Sequence, residues 1–148
     1  MRYKSTSRLF DVLKSADKDN IGKYQKDYLA HTFSGFVAYM DWLISDKKLK
    51  RKDIFQKADM PQKYGYKLLS GESRTIDRDK LLRIFIAMNM TLKETQRALT
   101  LYGMSILYPK LKRDAIIIIA LNKGISSVDT VNEWLIEHKE PALSRSPD

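Results

Sequence analysis

Apolar positions in the middle of this chain recur at intervals of three and four residues, the spacing of a helix that buries one face. Between residues 34 and 104 this spacing predicts five helices. The first follows Ser34 and the fourth follows Asp77, two residue types that favour the position before a helix. The fifth opens at a capping box formed by Thr91 and Glu94, and Gly103 is placed to end it.

The second and third of these helices are short and lie close together in residues 49–71, LKRKDIFQKADMPQKYGYKLLSG. The third begins at Pro61. Apolar side chains at Ile54, Ala58, Met60 and Leu68 would face a core that the two helices share. Two such helices joined by a tight turn are typical of a helix-turn-helix, in which one helix crosses a DNA backbone and the next enters the major groove.

The C-terminal third begins after an extended break at Tyr108-Pro109. Ile116–Ile119 alone would suit a buried strand, but a strand here would lack a partner, so we predict a helix over 110–122 with the isoleucines buried nearly all round. Ser126, with Asp129 three residues on, starts another helix. The resulting hairpin, residues 105–138, packs on the domain before it or, alternatively, on a second subunit. Residues 139–148, KEPALSRSPD, are predicted to be a flexible tail.

The N-terminal region, residues 1–33, is polar with scattered aromatic side chains and is predicted to be a helical arm. Three roles stay open for it: packing on the main domain, dimerisation and binding of a partner. The predicted fold is therefore all-α, a five-helix domain over 34–104 flanked by the arm, the hairpin and the tail.

Positive charge is concentrated around the two short helices. The chain carries a net charge of +9. Residues 45–83 hold twelve basic and six acidic side chains, a net charge of +6. This distribution is expected of a surface that binds phosphates. The alternative is a basic surface that only keeps the protein in solution.

Residues 49–71 resemble the helix-turn-helix of the phage-repressor (Xre) family. The positions that match the family pattern are Leu49, Ile54, Met60, Leu68 and Gly71. The resemblance covers about 70 residues and implies a five-helix repressor-like DNA-binding domain. The flanking regions also look like bacterial Xre-type regulators that carry an arm and a C-terminal hairpin. Tyr64-Gly65-Tyr66, Leu107-Tyr108-Pro109 and Asn132-Glu133 carry that wider likeness.

Several positions depart from the family pattern. Lys50 replaces the usual capping Ser or Thr, so the second helix should begin without a side-chain cap. Asp59 replaces the glycine of the turn, a position where Asp tolerates left-handed backbone better than most residues. Phe55 stands where the family has a small residue, and Gly65 where it has a branched apolar one. Because such an exchange conserves volume, we predict that the Phe55 ring lies over Gly65.

The third helix supplies the candidate base contacts. Gln62 suits adenine and Lys63 suits guanine in the major groove. Tyr64, Tyr66 and Lys67 would contact phosphates or thymine methyl groups. Packing is the alternative role for the tyrosines, and simple exposure is the alternative for Gln62 and Lys63.

Contacts to the phosphates of the DNA backbone are expected from Arg51, Lys52 and Arg74. These contacts would position the protein on the DNA without selecting a sequence. Arg51 takes the place of the family's phosphate-gripping Gln, and Arg74 follows the Gly at the place where the family has a basic residue. The implied function is sequence-specific regulation of transcription, as a repressor for example. Helix-turn-helix proteins of this kind commonly bind paired DNA half-sites as homodimers.

Other functions have less support. A protein-interaction or antitoxin-like module on the same fold would use the arm or the hairpin to bind a partner protein. An enzyme is not expected, because no nucleophile–base set or phosphate-binding glycine loop is present; nor do we expect a metal or cofactor. His31 and His138 stand near opposite ends of the chain, and His138 suits a solvated helix end. The absence of cysteine and of a membrane-spanning apolar run fits a reducing, cytoplasmic setting in a bacterium or phage.

Overall fold

The computed structural model describes residues 35–145, which fold into seven helices and contain no strand. The helices are α1 Phe36–Asp46, α2 Arg51–Lys57, α3 Gln62–Ser70, α4 Arg78–Ala87, α5 Leu92–Tyr102, α6 Lys112–Asn122 and α7 Val128–Glu137. The all-α prediction is confirmed for this part of the chain. The predicted arm over residues 1–33 and the predicted cap Ser34 lie outside the described residues. Gly35 takes the N-cap position of α1.

Helix ends fall largely where the sequence places them. The Asp77 carboxylate accepts a hydrogen bond from the Asp79 amide at the start of α4. Thr91 and Glu94 form the predicted capping box of α5, at 3.0 and 3.1 Å, and Gly103 ends that helix with a φ of +85°. The cap of α7 is Ser127 rather than Ser126, because the Ser127 hydroxyl is the one that accepts from the third amide of the helix.

Helix α4 lies at the centre of the domain. All its residues from Lys80 to Ala87 are buried, and it packs against α2, α5 and α7. Around it, α1 packs on α3 and α5, while α6 packs on α5 and α7. One continuous apolar core runs from Phe36 to Leu143, so the two short helices and the C-terminal hairpin share it.

The isoleucine run of α6 is helical, as predicted, but it is not buried all round. Ile116 and Ile117 are buried and Ile118 is half-buried, whereas Ile119 is 49% exposed. Successive helical positions differ by about 100°, so four consecutive side chains point in nearly all directions. Only the sides of α6 that face α5 and α7 are covered, and the prediction is therefore wrong for Ile119.

Residues 141–145 follow α7 without forming a helix, and we call them the C-terminal strap. Leu143 is only 2% exposed, and its amide donates to the Asn132 side-chain oxygen at 2.8 Å. The Ser144 amide donates to the Asp79 carboxylate at 3.0 Å. The predicted flexible tail is therefore wrong for this segment, because a buried leucine and paired backbone groups attach it to α4 and α7. Residues 146–148 lie outside the described part.

Candidate nucleic-acid interface

Helices α2 and α3 pack against each other across a four-residue connection. Asp59 adopts the predicted left-handed backbone, with a φ of +53°. The next residue closes the turn, since the Met60 amide donates to the Phe55 carbonyl at 3.0 Å. As predicted, Lys50 precedes α2 at the N-cap position and its side chain forms no capping hydrogen bond. The angle between the helices is thus set by a compact turn and by the core beneath it.

Phe55 of α2 packs directly on Gly65 of α3, which confirms the prediction that the Phe55 ring lies over Gly65. Phe55 is fully buried, and a β-carbon built on Gly65 would lie 2.4 Å from its Cδ1 atom. The Tyr66 ring meets the edge of the same phenyl ring, with centroids 5.0 Å apart. One side of Tyr66 is thereby fixed, while 44% of the residue stays exposed.

Three side chains at the start of α3 share one exposed face, which we call the reading face: Gln62, Lys63 and Tyr66. Their helical positions fall within an arc of about 100°. Within residues 35–145, neither Gln62 nor Lys63 forms a side-chain hydrogen bond or ion pair. The first turn of α3 also contains no acidic residue, and Pro61 provides no side-chain cap. The positive end of the helix dipole is therefore not neutralised locally.

Tyr64 lies away from the reading face, whereas Lys67 lies beside it, about 40° from Lys63 around the helix. Both are half-buried, and Tyr64 packs against the apolar core. Tyr64 is two positions after Gln62 and is rotated from it by about 200°, which explains why it faces the core. Tyr64 thus has a packing role in the folded chain, the alternative that the sequence left open.

The residues predicted to contact the DNA backbone lie on two elements, α2 and the loop after α3. Arg51, at the start of α2, forms an ion pair with Asp41 of α1, and its side chain is about one-third exposed. The neighbouring Lys52 is exposed. Asp41 therefore partly offsets the charge that Arg51 offers at this end of α2.

Arg74 lies in the loop after α3. It donates to the Tyr102 carbonyl at 2.8 Å, and its guanidinium carbon lies 4.3 Å from the centre of the Tyr102 ring. The Thr75 amide donates to the Tyr102 hydroxyl, also at 2.8 Å. Tyr102 thus attaches this loop to α5, and Arg74 stays exposed in a restrained position.

One basic side chain beside α3 was missed by the sequence analysis. The Arg145 guanidinium lies 2.9 Å from the carboxylate of Asp59 in the turn. Eighty-six positions separate these residues, and Arg145 belongs to a segment with no helical spacing. Only the folded chain brings them together.

Within residues 35–145 no group of three or more His, Asp or Glu side chains is arranged to hold a metal ion. His138 is exposed at the end of α7, with Nδ1 2.8 Å from the Trp134 carbonyl oxygen. None of the helices in this range is both long enough and apolar enough to cross a membrane.

Comparison with known proteins found no family model, no curated protein and no solved structure that matches the chain.

Proposed function

We propose that this protein binds double-stranded DNA sequence-specifically, as a transcriptional regulator of the phage-repressor type, with α3 in the major groove. The observation that carries the proposal is the pair Gln62 and Lys63. These side chains stand on the exposed first turn of the second helix of a tight helix–turn–helix and have no partner within residues 35–145. In helix-turn-helix proteins the residues near the N-terminus of this helix contact base edges.

The chemistry of the reading face suits base recognition. A glutamine amide can both donate to and accept from adenine, and a lysine ammonium can donate to guanine O6 and N7. Tyr66 adds an aromatic surface that would contact a thymine methyl group. Its ring is fixed against Phe55, so less side-chain freedom is lost on binding.

The residues proposed to contact the DNA backbone lie on the elements next to α3. Arg51 and Lys52 stand at the start of α2, and Arg74 stands in the loop just after α3. Phosphate contacts from both elements would fix how α3 enters the groove. Asp41 pairs with Arg51 in the free protein, so DNA binding would exchange that carboxylate for a phosphate. We further propose that two copies bind paired half-sites as a homodimer.

Binding to duplexes selected from a random library, measured by fluorescence anisotropy over a salt series, tests the proposal. A scrambled duplex of the same composition is the control. We expect tighter binding to the selected duplex and a steep loss of affinity with salt, because counterions are released from the DNA. Equal, weak binding to both duplexes, or no binding at low salt, would contradict sequence-specific recognition.

A second candidate function is that of a protein-binding, antitoxin-like module, and it rests on the α6–α7 hairpin. A groove of about 290 Å³ lies between these helices, lined by Ile116, Ile119, Trp134, Glu137 and His138. The half-exposed Ile119 would suit an apolar side chain of a partner protein. Co-expression with the product of a neighbouring gene, followed by gel filtration, tests this function. Ile119→Lys should abolish a complex formed at this groove, and an unaffected complex would contradict it.

A further inference from the structure

The C-terminal strap is held against the helix–turn–helix by a buried arginine of α4. Arg83 is only 2% exposed. Its guanidinium donates to the carbonyls of Leu143 and Ser144 at 2.9 and 2.7 Å, and to the carbonyl of Ala58 at 3.0 Å. Ala58 is the C-cap residue that directly follows α2. One buried cation therefore joins the strap to the beginning of the turn.

Arg145, the last described residue of the strap, is also held by a basic side chain of α4. Lys80 of α4 donates to the Arg145 carbonyl, and the buried Leu143 side chain anchors the chain two residues earlier. The Ser144 hydroxyl donates to the Asp77 carboxylate. The backbone carbonyls of residues 143–145 all accept hydrogen bonds from α4, so the direction in which the Arg145 side chain points is restricted.

The Arg145 side chain lies close to the beginning of α3. Its guanidinium contacts Asp59, and Asp59 precedes Gln62 by three positions, so their Cα atoms are at most about 11 Å apart. Arg145 is 68% exposed and Asp59 is 60% exposed at the side chain. The pair therefore stands in solvent at the end of α3 that carries the reading face.

We propose that Arg145 is a DNA-phosphate contact, delivered beside the reading face by the C-terminal strap. This inference rests on the proposed function, since α3 must lie in the groove for a phosphate to come within reach. An exposed ion pair contributes little stability, so Arg145 can leave Asp59 at small cost. A phosphate then offers the planar guanidinium two oxygens in a matching geometry.

A weaker role for Arg145 would be to neutralise Asp59, whose carboxylate repels phosphates. The two roles differ in a double-mutant comparison. If Arg145 only masks Asp59, its removal has no effect once residue 59 is Asn. If Arg145 contacts a phosphate, its removal costs affinity whichever residue stands at position 59. Asn tolerates the left-handed backbone of this position, so Asp59→Asn is a suitable background.

The experiment compares the full-length wild type, Arg145→Ala, Asp59→Asn, the double variant and the control Lys123→Ala. Lys123 is an exposed lysine at the end of α6, outside the proposed interface. Anisotropy is measured with the selected and the scrambled duplex over a salt series. Arg145→Ala should reduce the salt slope by about 1, which at about 0.1 M salt is a loss of roughly tenfold in affinity for both duplexes. The same loss is expected in the Asp59→Asn background, and none is expected for Lys123→Ala.

An unchanged salt slope in Arg145→Ala, or a loss that disappears in the Asp59→Asn background, would overturn the phosphate contact alone. Failure of the wild type to bind either duplex would instead overturn the proposed function and this inference together. Thermal unfolding by circular dichroism confirms that each variant is folded, which is expected because the Arg145 side chain is mostly exposed.

Discussion

The ring of Phe55 fills the space that a β-carbon at Gly65 would need. The contact joins α2 and α3, and Phe55 is fully buried in it. A glycine inside a helix costs about 1 kcal/mol relative to alanine. The buried aromatic ring offsets this cost, because a fully buried phenylalanine contributes about 1.5–3 kcal/mol.

Gly65→Ile should therefore destabilise the protein. The new side chain meets Phe55 well inside contact distance, and overpacking of this kind costs roughly 1–3 kcal/mol. Urea unfolding followed by circular dichroism measures the change. The same substitution in a Phe55→Ala background should cost less, since the ring is gone. A higher free energy of unfolding for Gly65→Ile alone would contradict the packing described here.

Local patterns predicted the features that depend on neighbours in sequence. The capping box at Thr91 and Glu94 follows from two residues three positions apart. The left-handed turn at Asp59 was expected from the glycine that the family has there. The helical state of the isoleucine run was expected because a strand would lack a partner in an all-helical chain. The Phe55–Gly65 contact was also predictable, because the resemblance to a known helix pair places these positions opposite each other.

Features that depend on distant elements were not predictable. The exposure of Ile119 depends on where α5 and α7 lie around α6. The strap was missed because Leu143 is a lone apolar residue in a polar segment, and its partner Arg83 is sixty positions away. The candidate site was likewise predicted only in part. The exposure of Gln62 and Lys63 follows from helix geometry, whereas the position of Arg145 depends on the fold of the whole domain.

Leu143→Ala tests whether the strap contributes to stability. A buried leucine reduced to alanine costs about 2–5 kcal/mol, through lost burial and the cavity left behind. The matched control is Leu111→Ala, the same substitution at a leucine that is 55% exposed, where we expect a cost below about 1 kcal/mol. Both are measured by urea unfolding. Equal, small effects at the two sites would indicate that the strap is not docked in solution.

The carboxylate of Asp79 should make the attachment of the strap sensitive to acid. Burial alone raises the pKa of this group, but hydrogen bonds from Arg113, at 3.0 and 2.8 Å, and from the Ser144 amide outweigh burial and lower the folded-state pKa. The resulting stabilisation is fully present above the unfolded-state pKa of about 3.9 and is lost as the pH falls through the lower folded-state value.

Urea unfolding of the wild type and Asp79→Asn at several pH values tests this sensitivity. The wild type should be the more stable of the two by a constant margin above a pH of about 5, and the margin should shrink below a pH of about 4. A margin that grows as the pH falls would mean that the folded-state pKa of Asp79 is raised instead.

Asp41→Asn should strengthen DNA binding without changing which sequences are preferred. The substitution removes the carboxylate that pairs with Arg51, so Arg51 is free to meet a phosphate. We expect a gain of a few-fold for the selected and scrambled duplexes alike, consistent with the small worth of an exposed ion pair. Glu133→Gln, at an exposed acid of α7, is the charge-matched control. Weaker binding by Asp41→Asn would mean that Asp41 holds Arg51 in its DNA-binding position.

The most direct test of the account is the effect of Gln62→Ala and Lys63→Ala on sequence preference, with Lys52→Ala for comparison. Anisotropy is measured with the selected duplex and with each of its single-base variants. The reading-face substitutions should each reduce discrimination at one or two base pairs by about 1–3 kcal/mol. Lys52→Ala should weaken binding to all duplexes alike and leave the preference unchanged. An undiminished preference in both Gln62→Ala and Lys63→Ala would contradict the proposal that α3 reads DNA.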